Sequence, residues 1–155
     1  MTIGFLRHAE AENGSGSDFN RRLTPKGIEQ AVKAGKFCSR SGLVPGVILS
    51  SPVVRARQTA DIVAKAVGVK LDEVQWLACG MEPGDCLKQL SDRAEAGSIL
   101  LVGHEPDFSE AIAHLIGLPE HAVLKIRKAS LTAVEIMDFH AGCGQLQFLV
   151  PVRLM

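Results

Sequence analysis

Arg7 and His8 stand side by side at the end of a short apolar run, Ile3, Phe5 and Leu6, as they would where a buried strand stops at a site. An arginine presents a fixed fork of donors that matches phosphate oxygens, and a neutral imidazole can act as a nucleophile. Adjacency therefore holds an attacking nitrogen beside the anion it must attack. Taken alone, the dipeptide is better explained as the ordinary polar end of a strand, so the case rests on what else the chain brings to the same place.

Arg55 falls in the first turn of a helix expected to open at Ser51 and Pro52. Side chains there lean back toward the N-terminus, so its guanidinium should overhang the end of the strand at 47–49, where an anion would bind. His104 follows the strongest buried-strand pattern in the chain, residues 98–102. In open α/β sheets, ligands bind outside the carboxyl ends of the strands. With the first and fourth strands as neighbours, two imidazoles and two guanidiniums face one another, and Arg21 can swing in from a mobile polar loop centred on residues 14–17, Gly-Ser-Gly-Ser. Three arginines suit a phosphate dianion, since each charge-assisted hydrogen bond is worth about 1.5–3 kcal/mol.

The elements that must position these groups alternate. Thr24 and Pro25 start a helix with an apolar stripe of Ile28, Ala31, Val32 and Gly35, closed near Gly42. Ser51 caps and Pro52 opens a second, with Ala56, Ala60, Val63 and Val67 inward and Gly68 at its end. Residues 69–71 suit a short strand, 76–84 an irregular loop, and 85–96 a helix burying Leu87 and Leu90. A further helix follows residue 106, with Phe108, Ala111, Ile112 and Leu115 on one face and Gly117 beyond its end. The tail is β-rich at 130–137 and 145–152, joined through a turn-prone 140–144. The expected fold is α/β: a three-layer α/β/α sandwich with a mostly parallel central sheet and an antiparallel C-terminal hairpin, forming a single domain over 1–155.

Composition narrows the function. Seventeen basic residues balance seventeen acidic ones, so no global field recruits nucleic acid or a membrane surface, and any anion site must be a local cluster. With no charged-then-apolar leader and no apolar run near the ~20 residues of a membrane span, a soluble cytoplasmic protein is expected. Cys38, Cys79, Cys86 and Cys143 lack ligand or redox spacing and suit reduced core or loop thiols. Residues 104–108, His-Glu-Pro-Asp-Phe, are not H-E-x-x-H, which excludes a zinc protease. His114, His121 and His140 suit surface or cap positions, and Arg57, on a different helix face from Arg55, a solvated or ion-paired one. The basic cluster at 125–128, Lys-Ile-Arg-Lys, is either a strand-edge charge device or a docking patch for an acidic partner, the former being favoured.

In order along the chain, the motifs resemble those of the histidine phosphatase superfamily, with its phosphoglycerate-mutase-like fold. Residues 6–9, Leu-Arg-His-Ala, resemble its Arg-His-Gly signature, and 23–27, Leu-Thr-Pro-Lys-Gly, the opening of its first helix. Residues 50–60, Ser-Ser-Pro-Val-Val-Arg-Ala-Arg-Gln-Thr-Ala, are similar to its Ser-Pro-x-x-Arg-Ala-x-Gln-Thr block, and 102–106, Val-Gly-His-Glu-Pro, to its second histidine motif. The size of the chain and the spacing of Asp18, Arg21 and Arg55 are most similar to SixA-type phosphohistidine phosphatases.

The resemblance implies a phosphatase in which His8 takes the phosphoryl group and water then hydrolyses the phosphohistidine. Arg7 and Arg55 would bind the phosphoryl oxygens, with Arg21 and Asp18 assisting from the loop and His104 donating to the same oxygens; no metal or other cofactor is required. The sequence departs from the pattern in two places. Ala9 stands where the signature has glycine, so positive φ is not expected there. The family's glutamate proton donor has only Glu82 in a comparable loop, with Asp18 as the alternative. A weak acid matters less for a phosphoramidate, whose leaving imidazole protonates easily, than for a phosphomonoester. A phosphohistidine-bearing signalling protein is thus the expected partner, with a small phosphomonoester or a non-catalytic phosphate-binding module as alternatives. The sequence does not fix the oligomeric state; a monomer is favoured.

Overall fold

A computed structural model describes residues 1–13, 17–119 and 123–155. Gly14, Ser15 and Gly16 of the expected mobile loop, and His121, lie outside the described residues. Six strands form one sheet: β1 (Thr2–Arg7), β2 (Val47–Ser50), β3 (Leu71–Glu73), β4 (Ser98–Gly103), β5 (Leu131–Ile136) and β6 (Gly144–Val150). Their order is β3-β2-β4-β1-β5-β6. The first four are parallel, while β5 runs antiparallel to β1 and β6 antiparallel to β5.

The helices are α1 (Pro25–Arg40), α2 (Val54–Val67), α3 (Pro83–Ser91) and α4 (Asp107–Ile116). Strand alternation divides the core between two faces. Ile3, Phe5, Ile99 and Leu101 pack with Leu87, Leu90, Phe108 and Ile112 of α3 and α4. Leu6, Leu100 and Val102 pack with Ala34, Cys38, Ala56, Ala60 and Val63 of α1 and α2. Phe5 and Phe108 meet edge to face, 5.2 Å between centroids at 81°, which fastens α4 under the carboxyl end of β1. The expected three-layer sandwich with its closing hairpin is therefore the fold. No helix among the described residues is long and apolar enough to cross a membrane.

Several boundaries and faces differ from expectation. In α1 the buried residues are Gly27, Ala31, Ala34, Gly35 and Cys38, while Ile28 and Val32 are exposed. Small side chains let α1 approach α2 closely: a Cβ on Gly35 would lie 2.8 Å from that of Ala66. Ser51 does not cap α2; Val53 precedes the helix without a side-chain cap, and the Ser51 hydroxyl accepts the Val53 N–H while facing the site. The third strand lies two residues later than 69–71, and α3 ends at Ser91, followed by a short 3-10 turn. Residues 125–128 belong to no strand, which removes the strand-edge reading of that basic cluster.

Candidate active site

The parallel ladder continues one residue past β1 and β2, the His8 N–H donating to the Gly103 carbonyl (2.9 Å) and the Ser51 N–H to that of Val102 (2.9 Å). His8, Ser51 and His104 thus emerge side by side at the carboxyl edge. All three are buried, and the two imidazole centroids lie 5.3 Å apart. The neighbourhood of first and fourth strands, on which the convergence depended, is present.

The network around His8 fixes its tautomer. Nδ1 lies 2.7 Å from the Ala9 carbonyl, which only accepts, so Nδ1 carries the hydrogen. Nε2 keeps its lone pair and accepts from Arg55 Nε–H at 3.2 Å. The Ala9 N–H donates to Thr59 Oγ1 (3.1 Å), whose hydroxyl donates to the Arg55 carbonyl (2.7 Å), so one turn of α2 holds both the backbone beside His8 and the guanidinium that faces it. Burial pushes His8 down to about 3, with His104, Arg55 and Arg7 acting in the same sense against its bond to Ala9. Ala9 is not among the described residues with positive φ, so alanine fits the place of the signature's glycine.

His104 Nε2 lies 2.8 Å from Ser51 Oγ. That oxygen also accepts the Val53 N–H (3.2 Å), and a hydroxyl that donates to Nε2 puts the ring hydrogen on Nδ1, a buried atom with no protein partner. Burial and the two arginines depress His104 to about 4. Arg7 donates from Nη1 to the Ile126 carbonyl (2.8 Å), and its Nε is buried without a partner. Two buried nitrogens, Arg7 Nε and His104 Nδ1, thus lack protein partners among the described residues, beside the Nε2 lone pair of His8.

Arg55 is almost fully buried in the first turn of α2 and meets Asp18 twice, Nη1 to its carbonyl (2.8 Å) and Nη2 to Oδ2 (3.0 Å). Arg21 takes the other carboxylate oxygen, Nη1 to Oδ1 at 2.6 Å. One carboxylate therefore bridges two guanidiniums, and Arg21 first and then Arg55 hold it below the ordinary aspartate value. Glu82, the residue preceding α3, is exposed and forms no hydrogen bond or ion pair with any of these groups. The structure brings together Arg7, His8, Asp18, Arg21, Arg55 and His104, and leaves Glu82 outside their bonds.

Four features escaped the sequence. Ser51 reads from the sequence as a cap, although its place in the block makes it visible. Thr59, four residues after Arg55 and so on the same helix face, carried a usable signal. Asp107 is buried and accepts the Gly80 N–H (2.9 Å), holding the loop that carries Cys79 beside Arg55. Glu105 is half-buried beside Arg7, with Oε1 unpartnered, and burial holds its carboxyl above the ordinary value. Elsewhere, Arg57 pairs with Asp61 and Glu73, and all four cysteines are free thiols, as expected. Among the described residues no group of three or more His, Cys, Asp or Glu is arranged to hold a metal ion.

Residues 3–78 match the model of the histidine phosphatase superfamily, branch 1. An uncharacterized protein of Picosynechococcus sp. is 33% identical over 153 residues, covering 95% of this chain and 89% of its own. The protein histidine phosphatase SixA, solved in complex with tungstate, superposes with a TM-score of 0.88 at 20% identity over 99% of this chain and 98% of its own. The alpha-ribazole phosphatase of Shigella flexneri does so with 0.79 at 19% identity, over 98% and 97%.

Proposed function

Because this chain belongs to the histidine phosphatase superfamily, we propose that it is a phosphatase that works through a phosphohistidine on His8 and acts on phosphohistidine in a signalling protein. The observation that carries the reading is the state of the His8 ring: neutral, with hydrogen on Nδ1 and a lone pair on Nε2, among arginines. Nε2 attacks phosphorus as the bond from phosphorus to the leaving atom breaks, and Arg55 Nε–H passes from the lone pair to a phosphoryl oxygen. Arg7 Nε–H and His104 Nδ1–H donate to the same oxygens, and Arg21 adds charge from the loop. Water then attacks phospho-His8, releasing inorganic phosphate and returning the free imidazole. The arginines supply the positive charge, so the reading needs no metal.

The acid side of the site supports a phosphoramidate substrate. Asp18 is held ionised by two arginines, which makes it a poor proton donor, and Glu82 lies outside the bonded network. A leaving imidazole takes a proton readily and tolerates that arrangement; an alkoxide does not. The span 68–97 also holds only β3, α3 and short turns, leaving no long insertion to roof the site, which suits a protein substrate. The reading treats 1–155 as one catalytic domain of a cytoplasmic phosphotransfer system.

The test is phosphate release from a phosphohistidine-bearing protein and from a panel of small phosphomonoesters, with His8→Ala alongside, followed by an alkaline quench to trap labelled enzyme. Expected are faster release from the phosphoprotein and an acid-labile, alkali-stable phosphoenzyme, both absent in the variant. Release that survives in His8→Ala would overturn the mechanism; preference for one metabolite would overturn the substrate class alone.

A further inference from the structure

We propose that the basic surface beside Arg7 is a docking site for acidic side chains flanking the phosphorylated histidine of a substrate protein, an inference that rests on the phosphatase reading above. A cleft of about 360 Å³ is lined by Arg7, Arg127, Lys128 and Arg153 together with Glu10 and Gln30. Its one carboxylate is already satisfied: Glu10 Oε2 pairs with Lys26 Nζ at 2.9 Å, and Oε1 accepts from the Thr24 hydroxyl at 3.1 Å. Among the described residues no carboxylate lies within 4 Å of the nitrogens of Arg7, Arg127, Lys128 or Arg153. In a chain with no net charge this is a local field rather than a basic surface at large.

The cleft is built onto the site. Arg7 belongs to both, and the segment carrying Arg127 and Lys128 is fastened to the end of β1: Arg7 Nη1 donates to the Ile126 carbonyl, the Arg7 N–H to the Ser130 carbonyl (3.2 Å), and the Ala129 N–H to the carbonyls of Arg7 and His8 (3.1 and 3.2 Å). The Ser130 hydroxyl accepts the Arg127 N–H (3.1 Å), closing the turn. Ala129, wholly buried, has a φ of 54°, a left-handed conformation that disfavours any residue with a Cβ. A strained, tightly bonded turn thus presents two cations at a fixed place next to the phosphoryl site.

The chemistry selects a protein surface over a second small anion. Arg127 and Arg153 are exposed on the rim and Lys128 is half-buried, an arrangement that reaches out to spaced carboxylates; a compact dianion would leave most of these donors unused. Each exposed charge pair tightens binding by about 1.4- to 5-fold, so three together span roughly 3- to 150-fold, with about 10-fold near the middle, and salt removes the gain.

The experiment uses a fluorescent peptide with three glutamates on either side of a stable phosphonate analogue of phosphohistidine, and its counterpart with glutamines. Fluorescence anisotropy gives binding to the wild-type chain and to Arg127→Ser/Lys128→Ser/Arg153→Ser, and turnover of free phosphohistidine is measured for both. Expected is about 10-fold tighter binding of the glutamate peptide by wild type in 50 mM salt. That preference should vanish at 500 mM salt and in the triple variant, with free phosphohistidine turned over equally by both proteins. Equal binding of the two peptides by wild type overturns the proposal. So does a parallel loss of free phosphohistidine turnover in the variant, which would make the cations supports of Arg7, or displacement of the glutamate peptide by an equimolar small bisphosphate. A preference for glutamate in a wild-type chain that turns over nothing would leave the docking surface standing and overturn the phosphatase reading instead.

Discussion

Acid should destabilise this protein earlier than carboxylate titration alone would, because two imidazoles are buried in neutral form. His8 and His104 are 6% and 2% exposed, and their folded-state pKa values fall to about 3 and about 4 from 6.5. As pH drops through 6.5 the unfolded chain takes up a proton on each ring and the folded chain does not, so stability falls with pH. The stabilising contribution is complete above the unfolded value and is lost downward until the folded values are reached. Between pH 7 and pH 5 each ring costs about 2 kcal/mol, a figure set by the unfolded value because both folded values lie below pH 5. Two rings together take about 4 kcal/mol from the 5–15 kcal/mol typical of a domain. Glu105, held above its ordinary value by burial, contributes with the opposite sign, so the informative quantity is the difference between wild type and His8→Asn. Urea unfolding at pH 7, 6 and 5 and constant ionic strength should show wild type losing about 2 kcal/mol more than the variant across that interval. Parallel curves would mean that His8 is solvated or charged in the folded chain, and its proposed role as nucleophile would lose its physical basis.

Three further outcomes are expected. Ser51→Ala strips the acceptor from Val53 N–H and the partner from His104 Nε2, an unsatisfied buried group costing about 1–3 kcal/mol; kcat/KM for free phosphohistidine should fall 10-fold or more, and an unchanged value would show that His104 needs no partner to fix its tautomer. Gly27→Ala would place a Cβ 1.9 Å from the Glu10 carbonyl oxygen, a backbone atom that cannot turn aside, so unfolding should be easier by about 3 kcal/mol, whereas Gly84→Ala in α3, with nothing within 4 Å, should be neutral or slightly stabilising. Arg57→Ala removes exposed ion pairs to Asp61 and Glu73; stability should change by less than about 1 kcal/mol and turnover not at all, and a loss of turnover like that of an Arg55 variant would show the two arginines to be a functional pair.

What could be read from the sequence was whatever is encoded in local order. β4, apolar at four successive positions because it is covered on both faces, was unmistakable, and the αL glycines at 68 and 117 stop α2 and α4 where expected. The inward face of α1 was not legible, because Gly27, Ala34 and Gly35 contribute closeness rather than hydrophobicity and no apolar count registers them. The partner of Ser51 is not legible for a related reason: a serine before a proline has the local look of a cap, and only the packing of β4 beside β2 sets His104 within reach of its hydroxyl. The role of residues 126–130 was equally hidden, since their bonds to Arg7 and His8 span about 120 positions in the chain.

The ladder explains why the groups we assign to the chemistry need so little support from loops. Arg7 lies opposite Gly103 on β4, and Ser50 opposite Val102, so the residues just beyond β1, β4 and β2 come to adjacent places on one edge. Neighbouring strands are ~4.8 Å apart, and the 5.3 Å between the imidazole centroids follows from that spacing. A slip of one residue would turn each side chain to the opposite face and bring Phe5 to the place of Gly4, where a Cβ alone would lie 2.8 Å from the Leu100 side chain. The guanidinium of Arg21 and the carboxylate of Asp18 have no such frame. They hang from the segment 17–22, tied down by the Asp18 contacts to Arg55 and by the isolated bridge between Ala11 and Leu23. The sheet thus fixes His8 and His104, whereas Asp18 and Arg21 are positioned by side-chain contacts that the ladder does not set.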